Sequence, residues 1–406
     1  MLEKTISIIL AGGIGARLHP LTADRAKPAV PFGGRYRIID FTLSNCLHSG
    51  LRRILVLTQY KSHSLQKHLR DGWSVYNPEL EEYITPVPPQ MRTGESWYSG
   101  TADAIYQNLY LLERSGAEYA LILSGDHIYR MDYAAMLQYH YDTRAELTVA
   151  CLTVGLEQAG SFGVMTVDEA DRIVSFDEKP ANPQSIPGDS SHILASMGVY
   201  VFSLKFLAKL LQEDHDREDS AHDFGKDILP SILGSHRVVA YRFGGTSGRV
   251  TADRYWRDVG TIDAYYEANM DLLEPMPAID LYQGDWPIRT YEGQHPPARS
   301  VHGIAGREAE IVNCMLASGT LIVGGALRHS ILFPNVRVEE GAIVEHSLLF
   351  PGVTVGEGAH LRRTIVDKQV MIPPGERIGF NLERDAQRFT VSDGGIVVIP
   401  KGYVFS

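Results

Sequence analysis

The last third of the chain constrains the fold more than any other stretch. Beyond Val301, short aliphatic pairs recur between glycines and prolines: Ile311-Val312, Leu321-Ile322-Val323, Val336-Arg337-Val338, Ile343-Val344 and Val353-Thr354-Val355. Their spacing is roughly six residues, the period of a parallel β-helix, in which each coil buries one branched aliphatic per face and small or turn-forming residues stand at the corners. Ser330-Ile331-Leu332-Phe333-Pro334 and Ser347-Leu348-Leu349-Phe350-Pro351 are near duplicates, which strengthens the reading. A meandering antiparallel sandwich is the competing arrangement for short strands divided by turns. Stacked coils share one core and leave lateral faces for oligomer contacts or effectors.

The stretch up to about Leu273 has a different texture. Ile6–Leu10, Ile54–Leu57, Tyr119–Leu123, Leu147–Leu152 and Met197–Phe202 have strand patterns, while Asp103–Arg114 and Tyr133–Asp142 have helical ones. Such alternation predicts a mostly parallel α/β sheet with ligands at the carboxyl ends of its strands. Between the two regions, Pro275, Pro277, Pro287, Pro296 and Pro297 discourage regular structure and mark a linker.

With 406 residues, 44% of them hydrophobic and 21% charged, the chain has the make-up of a two-domain globular protein. A net charge of -11 with no basic block argues against nucleic-acid binding. Cys46, Cys151 and Cys314 are far apart, so they read as buried structural thiols rather than a zinc site or disulfide framework. No targeting segment or membrane-length apolar run is evident, and a cytoplasmic enzyme is expected.

The first strand pattern runs into Leu10-Ala11-Gly12-Gly13-Ile14-Gly15-Ala16-Arg17-Leu18, with Lys27-Pro28 soon after. Glycines let backbone amides approach phosphates, and Arg17 and Lys27 supply positive charge, so the stretch reads as a nucleoside triphosphate cradle. A dinucleotide fingerprint would need glycine where Leu18 stands, and a P-loop would need Gly-Lys-Ser/Thr; neither is present. A tight turn with no ligand is the alternative for the glycines alone.

Asp126 follows the strand pattern Tyr119–Leu123, and Asp258 in Tyr255–Gly260 is a second candidate of the same kind. Two carboxylates at a phosphate pocket can hold Mg²⁺, although a turn or helix cap explains Asp126 equally well. His127 has no ligand spacing and reads as a satisfied loop residue. Glu178-Lys179-Pro180 offers an ammonium for a sugar phosphate and a carboxylate for sugar hydroxyls, against the alternative of a solvated surface pair.

The order of these motifs resembles that of the glucose-1-phosphate adenylyltransferases over essentially the whole chain. The matching runs include Leu10–Leu18, Arg25–Val30, Arg37–Phe41, Thr58–Tyr60, Trp97–Ala104, Gly125–His127, Glu178–Pro180, Ser196–Tyr200, His222–Lys226 and Tyr255–Gly260. The resemblance implies a Rossmann-like nucleotidyltransferase domain over 1–275, a linker over 276–300 and a left-handed parallel β-helix over 301–406 for oligomerisation and regulation. It implies that ATP and α-D-glucose 1-phosphate give ADP-glucose and pyrophosphate, in the service of glycogen or a related α-glucan. By family position, Arg17 and Lys27 hold the triphosphate, Asp126 and Asp258 hold Mg²⁺, and Asp126 is catalytic with the two cations. Leu10, Ala11, Gly12, Gly13, Gln59, Gly100, Thr101 and Asp103 go with the nucleotide; Tyr98, Gly163, Glu178, Lys179 and Ser196 go with the sugar phosphate. A homotetramer controlled by phosphorylated metabolites is implied too, with Arg25 and Arg37 as regulatory candidates.

The chain departs from one effector pattern of that family. Asp24 stands where enzymes activated by fructose 1,6-bisphosphate often carry a basic residue, and Pro31 replaces a histidine that helps hold AMP. A carboxylate at this point repels a phosphate, so a different or weakened activator response is expected. The rival activities are a pyrophosphorylase of the same fold using UTP, dTTP or GTP, a β-helix acyltransferase, and a catalytically silent regulatory subunit. The shortness of the repeat region argues against the second, and retention of Arg17, Lys27, Asp126, Lys179 and Asp258 argues against the third.

Overall fold

In the computed structural model, which describes residues 1–90, 97–245, 248–250 and 254–405, a nine-stranded sheet organises the first part of the chain. Strand Thr5–Ala11 lies at its centre, parallel to Arg53–Thr58 on one side and Tyr119–Ser124 on the other. Ile6 and Ile8 enter one core and Ile9 and Ala11 the other, so the strand is apolar on both faces, as burial beneath two helical layers requires. Beyond Tyr119–Ser124 the sheet becomes mixed, mostly antiparallel but with Val238–Arg242 parallel to Leu147–Gly155. The long strand His192–Ser203 pairs with Tyr119–Ser124 and Leu147–Gly155, and its register slips between Ser196 and Tyr200.

The helical pattern over Asp103–Arg114 forms two short helices, Thr101–Tyr106 and Leu109–Arg114, rather than one. Asn108 breaks it: its side-chain amide donates to the Ala104 carbonyl at 2.8 Å and to the Tyr98 hydroxyl at 2.9 Å. A short amide side chain that satisfies the local backbone competes with helix continuation. Tyr133–Asp142 is one helix, with Asp132 as its N-cap.

The proline-rich stretch after Leu273 forms no helix or strand before Arg299, yet it is not a loose tether. Ile279, Trp286 and Ile288 are buried. Trp286 Nε1 donates to Asn45 Oδ1 at 3.0 Å, and Thr290 Oγ1 donates to Asp40 Oδ2 at 2.6 Å. Asp40 is itself fully buried. Burial alone would raise its pKa, but His68 and hydrogen bonds from Thr290 and the Arg37 amide outweigh that and hold it below the ordinary carboxylate range.

The last part coils into three parallel sheets of five, five and six strands, capped by one antiparallel strand, Thr390–Val391. The near-duplicate segments now have a physical reason. Ser330 and Ser347 are 17 residues apart and stack inside the coil, the Ser347 amide donating to Ser330 Oγ at 3.1 Å. Thr364 Oγ1 continues that ladder by donating to Ser347 Oγ at 3.1 Å. Ile331, Phe333, Leu348 and Phe350 pack into a core shared with Tyr265 and Ile262 of helix Ile262–Met270, which joins the two parts of the molecule. One corner departs from the expected small residues. Asn313, His329, His346 and Arg363 occupy it with φ between 46° and 50°, and the rings of His329 and His346 stack with centroids 4.8 Å apart. Cys46 and Cys151 are buried, whereas Cys314, near this corner, is only partly so. Among the described residues no helix is long and apolar enough to cross a membrane.

Candidate active site

The glycine turn follows directly from the central strand. Gly15 has φ of 64°, and a side chain there would press on Thr22 and Lys27; a β-carbon on Gly12 would come within 3.1 Å of Gln59 Cβ. Gly13 faces open space. The turn therefore forms one wall of a cavity of about 720 Å³, lined also by Leu10, Ala11, Arg17, Lys27, Gln59, Tyr98, Gly100, Thr101 and Asp126.

A cluster of charge sits at its floor. Lys27, at the start of the single turn Lys27–Ala29, places Nζ 2.7 Å from Asp126 Oδ2 and 2.9 Å from Asp258 Oδ1. Asp126 stands in the turn just after strand Tyr119–Ser124 and accepts a short hydrogen bond from Ser124. Asp258 arrives by another route. It ends strand Trp256–Asp258, which pairs antiparallel with His127–Tyr129 in a two-stranded ribbon outside the main sheet. The expectation that both carboxylates end main-sheet strands therefore holds for Asp126 only. Arg17 is mostly exposed, with Nη2 4.0 Å from Asp258 Oδ2.

Electrostatics couple the cluster. Burial lowers the Lys27 pKa, but the Asp126 and Asp258 charges more than reverse this and raise it. Burial would raise the Asp126 pKa, but Lys27 and His127 drive it far below the usual carboxylate range. His127 is no mere loop residue. It begins a strand opposite Asp258, its Nε2 lies 3.5 Å from Asp126 Oδ1, and burial lowers its pKa. Asp126, His127 and Asp258 each offer a ligand atom within 4.8 Å of the others. Two carboxylates that already converge on one ammonium present the hard oxygen donors a divalent cation requires, so the donor set fits such an ion.

A second cavity of about 220 Å³ opens beside the first and is lined by Gly163, Glu178, Lys179, Ser196, His127 and Asp258. Gly163 pairs in register with Glu178, and any side chain there would overlap the Phe176 ring. Lys179 has φ of 52° and places Nζ 3.5 Å from Glu178 Oε1. Ser196 stands where the long strand slips register.

Two residues fall elsewhere than their expected partners. Tyr98 lines the larger cavity and not the smaller, so it stands apart from Gly163, Glu178, Lys179 and Ser196. Asp103 lines neither. Its Oδ2 accepts from the Ser99 amide at 2.9 Å and from Gln107 Nε2 at 3.0 Å, bracing the loop from behind. Asp223, which sequence reasoning left without a role inside the run His222–Lys226, lines both cavities. Its signal was that of a cap: a carboxylate two residues before a glycine and three before a lysine.

Arg25 and Arg37 line neither cavity. Arg25 is buried and places Nη2 2.9 Å from Asp367 Oδ1 of the β-helix. Arg37 donates to the Ser64 carbonyl at 2.8 Å. The next residue along the β-helix, Lys368, has its pKa pushed down to about 7 by burial and by the positive charges of Arg37 and Arg25. Neither Asp367 nor Lys368 carried a recognisable sequence signal, because their partners lie some 340 positions earlier, with |i−j| of 342 for Arg25 and Asp367.

Comparisons with known proteins agree with this arrangement. A family model described as nucleotidyl transferase matches residues 6–275, and one described as GlmU-like, C-terminal hexapeptide matches residues 296–399. The chain is 61% identical over 404 residues to glucose-1-phosphate adenylyltransferase 2 of Vibrio parahaemolyticus, covering 100% of both chains. It is 57% identical to the protein of that name from Vibrio cholerae, again covering 100% of both. Against glucose-1-phosphate adenylyltransferase of Methylobacillus flagellatus it is 48% identical, covering 98% of this chain and 93% of the relative. A glycine cradle over a lysine-bridged carboxylate pair, continued into a β-helix and matched end to end by these relatives, makes the chain a member of the glucose-1-phosphate adenylyltransferase family, within the nucleotidyl transferases.

Proposed function

We propose that the chain transfers the adenylyl group of ATP to α-D-glucose 1-phosphate, giving ADP-glucose and pyrophosphate for the synthesis of glycogen or a related α-glucan. The observation that carries this reading is the meeting of two cavities at one cluster of charge. Asp126 lines the larger cavity, Asp258 lines the smaller, and Lys27 is bonded to both carboxylates. The larger cavity suits a nucleoside triphosphate and the smaller a sugar phosphate.

A phosphate oxygen of glucose 1-phosphate attacks the α-phosphorus of ATP in line, and the bond from that phosphorus to the bridging oxygen of pyrophosphate breaks. Both reactants are anions, so alignment and charge neutralisation are the main catalytic tasks. Lys27 and Arg17 supply positive charge at the triphosphate. The backbone from Leu10 to Gly13 cradles phosphates, while Gln59, Gly100 and Thr101 flank the base. Lys179 meets the sugar phosphate, with Glu178, Ser196 and the Gly163 backbone toward the sugar. Asp126 and Asp258 would hold Mg²⁺, which when bound neutralises and orients phosphate oxygens. No side chain is required as a covalent nucleophile.

Pyrophosphate release from ATP, UTP, GTP and dTTP, each with glucose 1-phosphate and Mg²⁺, tests the reading. ATP is expected to be preferred by about tenfold or more, the scale on which a base-specific pocket discriminates. Preference for another nucleotide would keep the fold and mechanism but overturn the product.

We further propose an effector role for Arg25 and Arg37 in a cytoplasmic homotetramer answering to phosphorylated metabolites; what bears on it is that Arg25 meets Asp367 where the first part of the chain touches the β-helix. Asp24 pairs with Lys401 at 3.4 Å, and Asp367 already neutralises Arg25. These internal carboxylates compete with a phosphate for the same cations. Fructose 1,6-bisphosphate is therefore expected to activate by less than about twofold, an estimate drawn from that competition; strong activation at physiological Mg²⁺ would refute it.

A further inference from the structure

We infer that His222 is a positioning residue that sets the walls of both substrate cavities through a single left-handed peptide. The inference rests on the assignment of the two cavities to nucleotide and sugar phosphate. Thr101 and Asp223 line both cavities and form the partition between them. Thr101 Oγ1 donates to Asp223 Oδ2 at 3.0 Å and accepts from the Phe224 amide at 3.1 Å.

His222 holds that partition from one end. Helix Thr101–Tyr106 has glycine at its N-cap and no side-chain cap, so its first amides need an outside acceptor. The His222 carbonyl is that acceptor, taking the Ala102 amide at 2.8 Å and the Asp103 amide at 3.4 Å. The approach is so close that any side chain at Gly100 would overlap this oxygen. The very next residue reaches both walls, with Oδ2 on Thr101 and Oδ1 on the turn beyond. Asp223 Oδ1 accepts the amides of Gly225 at 2.9 Å and Lys226 at 3.2 Å, fixing the turn that bounds the smaller cavity.

Consecutive residues can serve opposite walls because His222 has φ of 52°, a conformation that most side chains avoid and that must be held by its surroundings. Three hydrogen bonds hold it. The His222 amide donates to Ser220 Oγ at 2.9 Å, His222 Nδ1 pairs with Asp214 Oδ2 at 2.8 Å, and Ser220 Oγ donates to Asp214 Oδ1 at 2.7 Å. Asp214 lies on helix Leu204–His215 and is itself almost fully buried. The neighbouring His215 stacks on Tyr106 with ring centroids 4.1 Å apart, tying the same helix to the far end of Thr101–Tyr106.

Steady-state kinetics on the full chain test this. His222→Ala is expected to raise KM for ATP and KM for glucose 1-phosphate together, each by about tenfold, because a shift of the shared wall misplaces both substrates. His222→Asn, which tolerates the left-handed backbone and keeps an amide donor toward Asp214, is expected to restore both to within about threefold of the parent. Ser220→Ala removes two of the three bonds, those from the His222 amide and to Asp214 Oδ1, and leaves the backbone choice at 222 untouched, so it serves if His222→Ala does not fold; both KM values rise with it, by about threefold. A fall in melting temperature with both KM values unchanged, or a rise in only one of them, overturns the inference. Lys179→Ala is the control for the cavity assignment: it should raise KM for glucose 1-phosphate alone, and if it does not, the assignment fails whatever His222 does.

Discussion

Asp126→Asn is expected to lower turnover by about 10³-fold with a modest change in the KM of either substrate, since it removes charge that acts on the transition state more than on bound substrate. The side chain stays isosteric and its oxygen can still accept from Lys27. What is lost is one of the two negative charges on which a divalent cation would sit and the pairing that keeps Lys27 aimed at the cavity floor. Burial opposes ionisation of Asp126, but Lys27 above all holds it ionised far below its usual range, so the parent carries the charge that the variant lacks. Single-turnover pyrophosphate release across a Mg²⁺ titration separates the effects. A variant that regains the parent rate at high Mg²⁺ has lost only metal affinity, and one with unchanged turnover at every concentration shows that the carboxylate has no part in the chemistry.

Asp367→Ala is expected to destabilise the protein by about 3–5 kcal/mol, the cost of leaving a buried charge without its partner. Arg25 and Asp367 are each only 3% and 2% exposed at the side chain. Arg25 Nη1 has no hydrogen-bond partner among the described residues, and removal of the carboxylate takes away the acceptor of Nη2 as well. Asp367 also offsets the charges of Arg37 and Arg25 that act on Lys368. The paired change Arg25→Met with Asp367→Leu removes both charges and should cost far less, because the Coulombic gain of a buried pair barely exceeds its desolvation. Thermal melting of the three proteins checks this; equal loss in the single and paired variants would mean packing, not charge, is what matters at this interface.

Much of the architecture was legible because it repeats or alternates. Thr5–Ala11 is apolar on both faces and ends in glycines, so a buried parallel strand feeding a phosphate turn follows from local pattern. The β-helix was legible from its aliphatic period and from the near-duplicate segments at Ser330 and Ser347, whereas the stacking of their hydroxyls inside the coil appeared only in the fold. That Phe333 and Phe350, which pack edge to face on each other, also share a core with helix Ile262–Met270 was not legible, because the same apolar code serves either contact. The broken helix at Asn108 depended on a hydrogen bond to Tyr98 that no periodicity records.

The site divides in the same way. The glycines, Lys27 and Asp126 were legible as candidates, since a phosphate cradle needs small residues, a cation and a carboxylate near strand ends, although a plain turn or cap fitted the glycines and Asp126 as well. Gly163 belongs with them only after folding, when its neighbour across the strands proves to be Glu178 and the Phe176 ring fills the space a side chain would need. Asp258 joins Asp126 and His127 through a two-stranded ribbon that brings their ligand atoms within 4.8 Å of one another, and Asp223 meets Thr101 beside the left-handed turn at His222. The sequence by itself determined which chemistry this protein can carry, because residue types and local periodicity set charge, burial and backbone freedom. Only the tertiary structure decided which of those groups meet, because contacts between distant segments are set by packing, and packing leaves no signature in the order of residues along one strand.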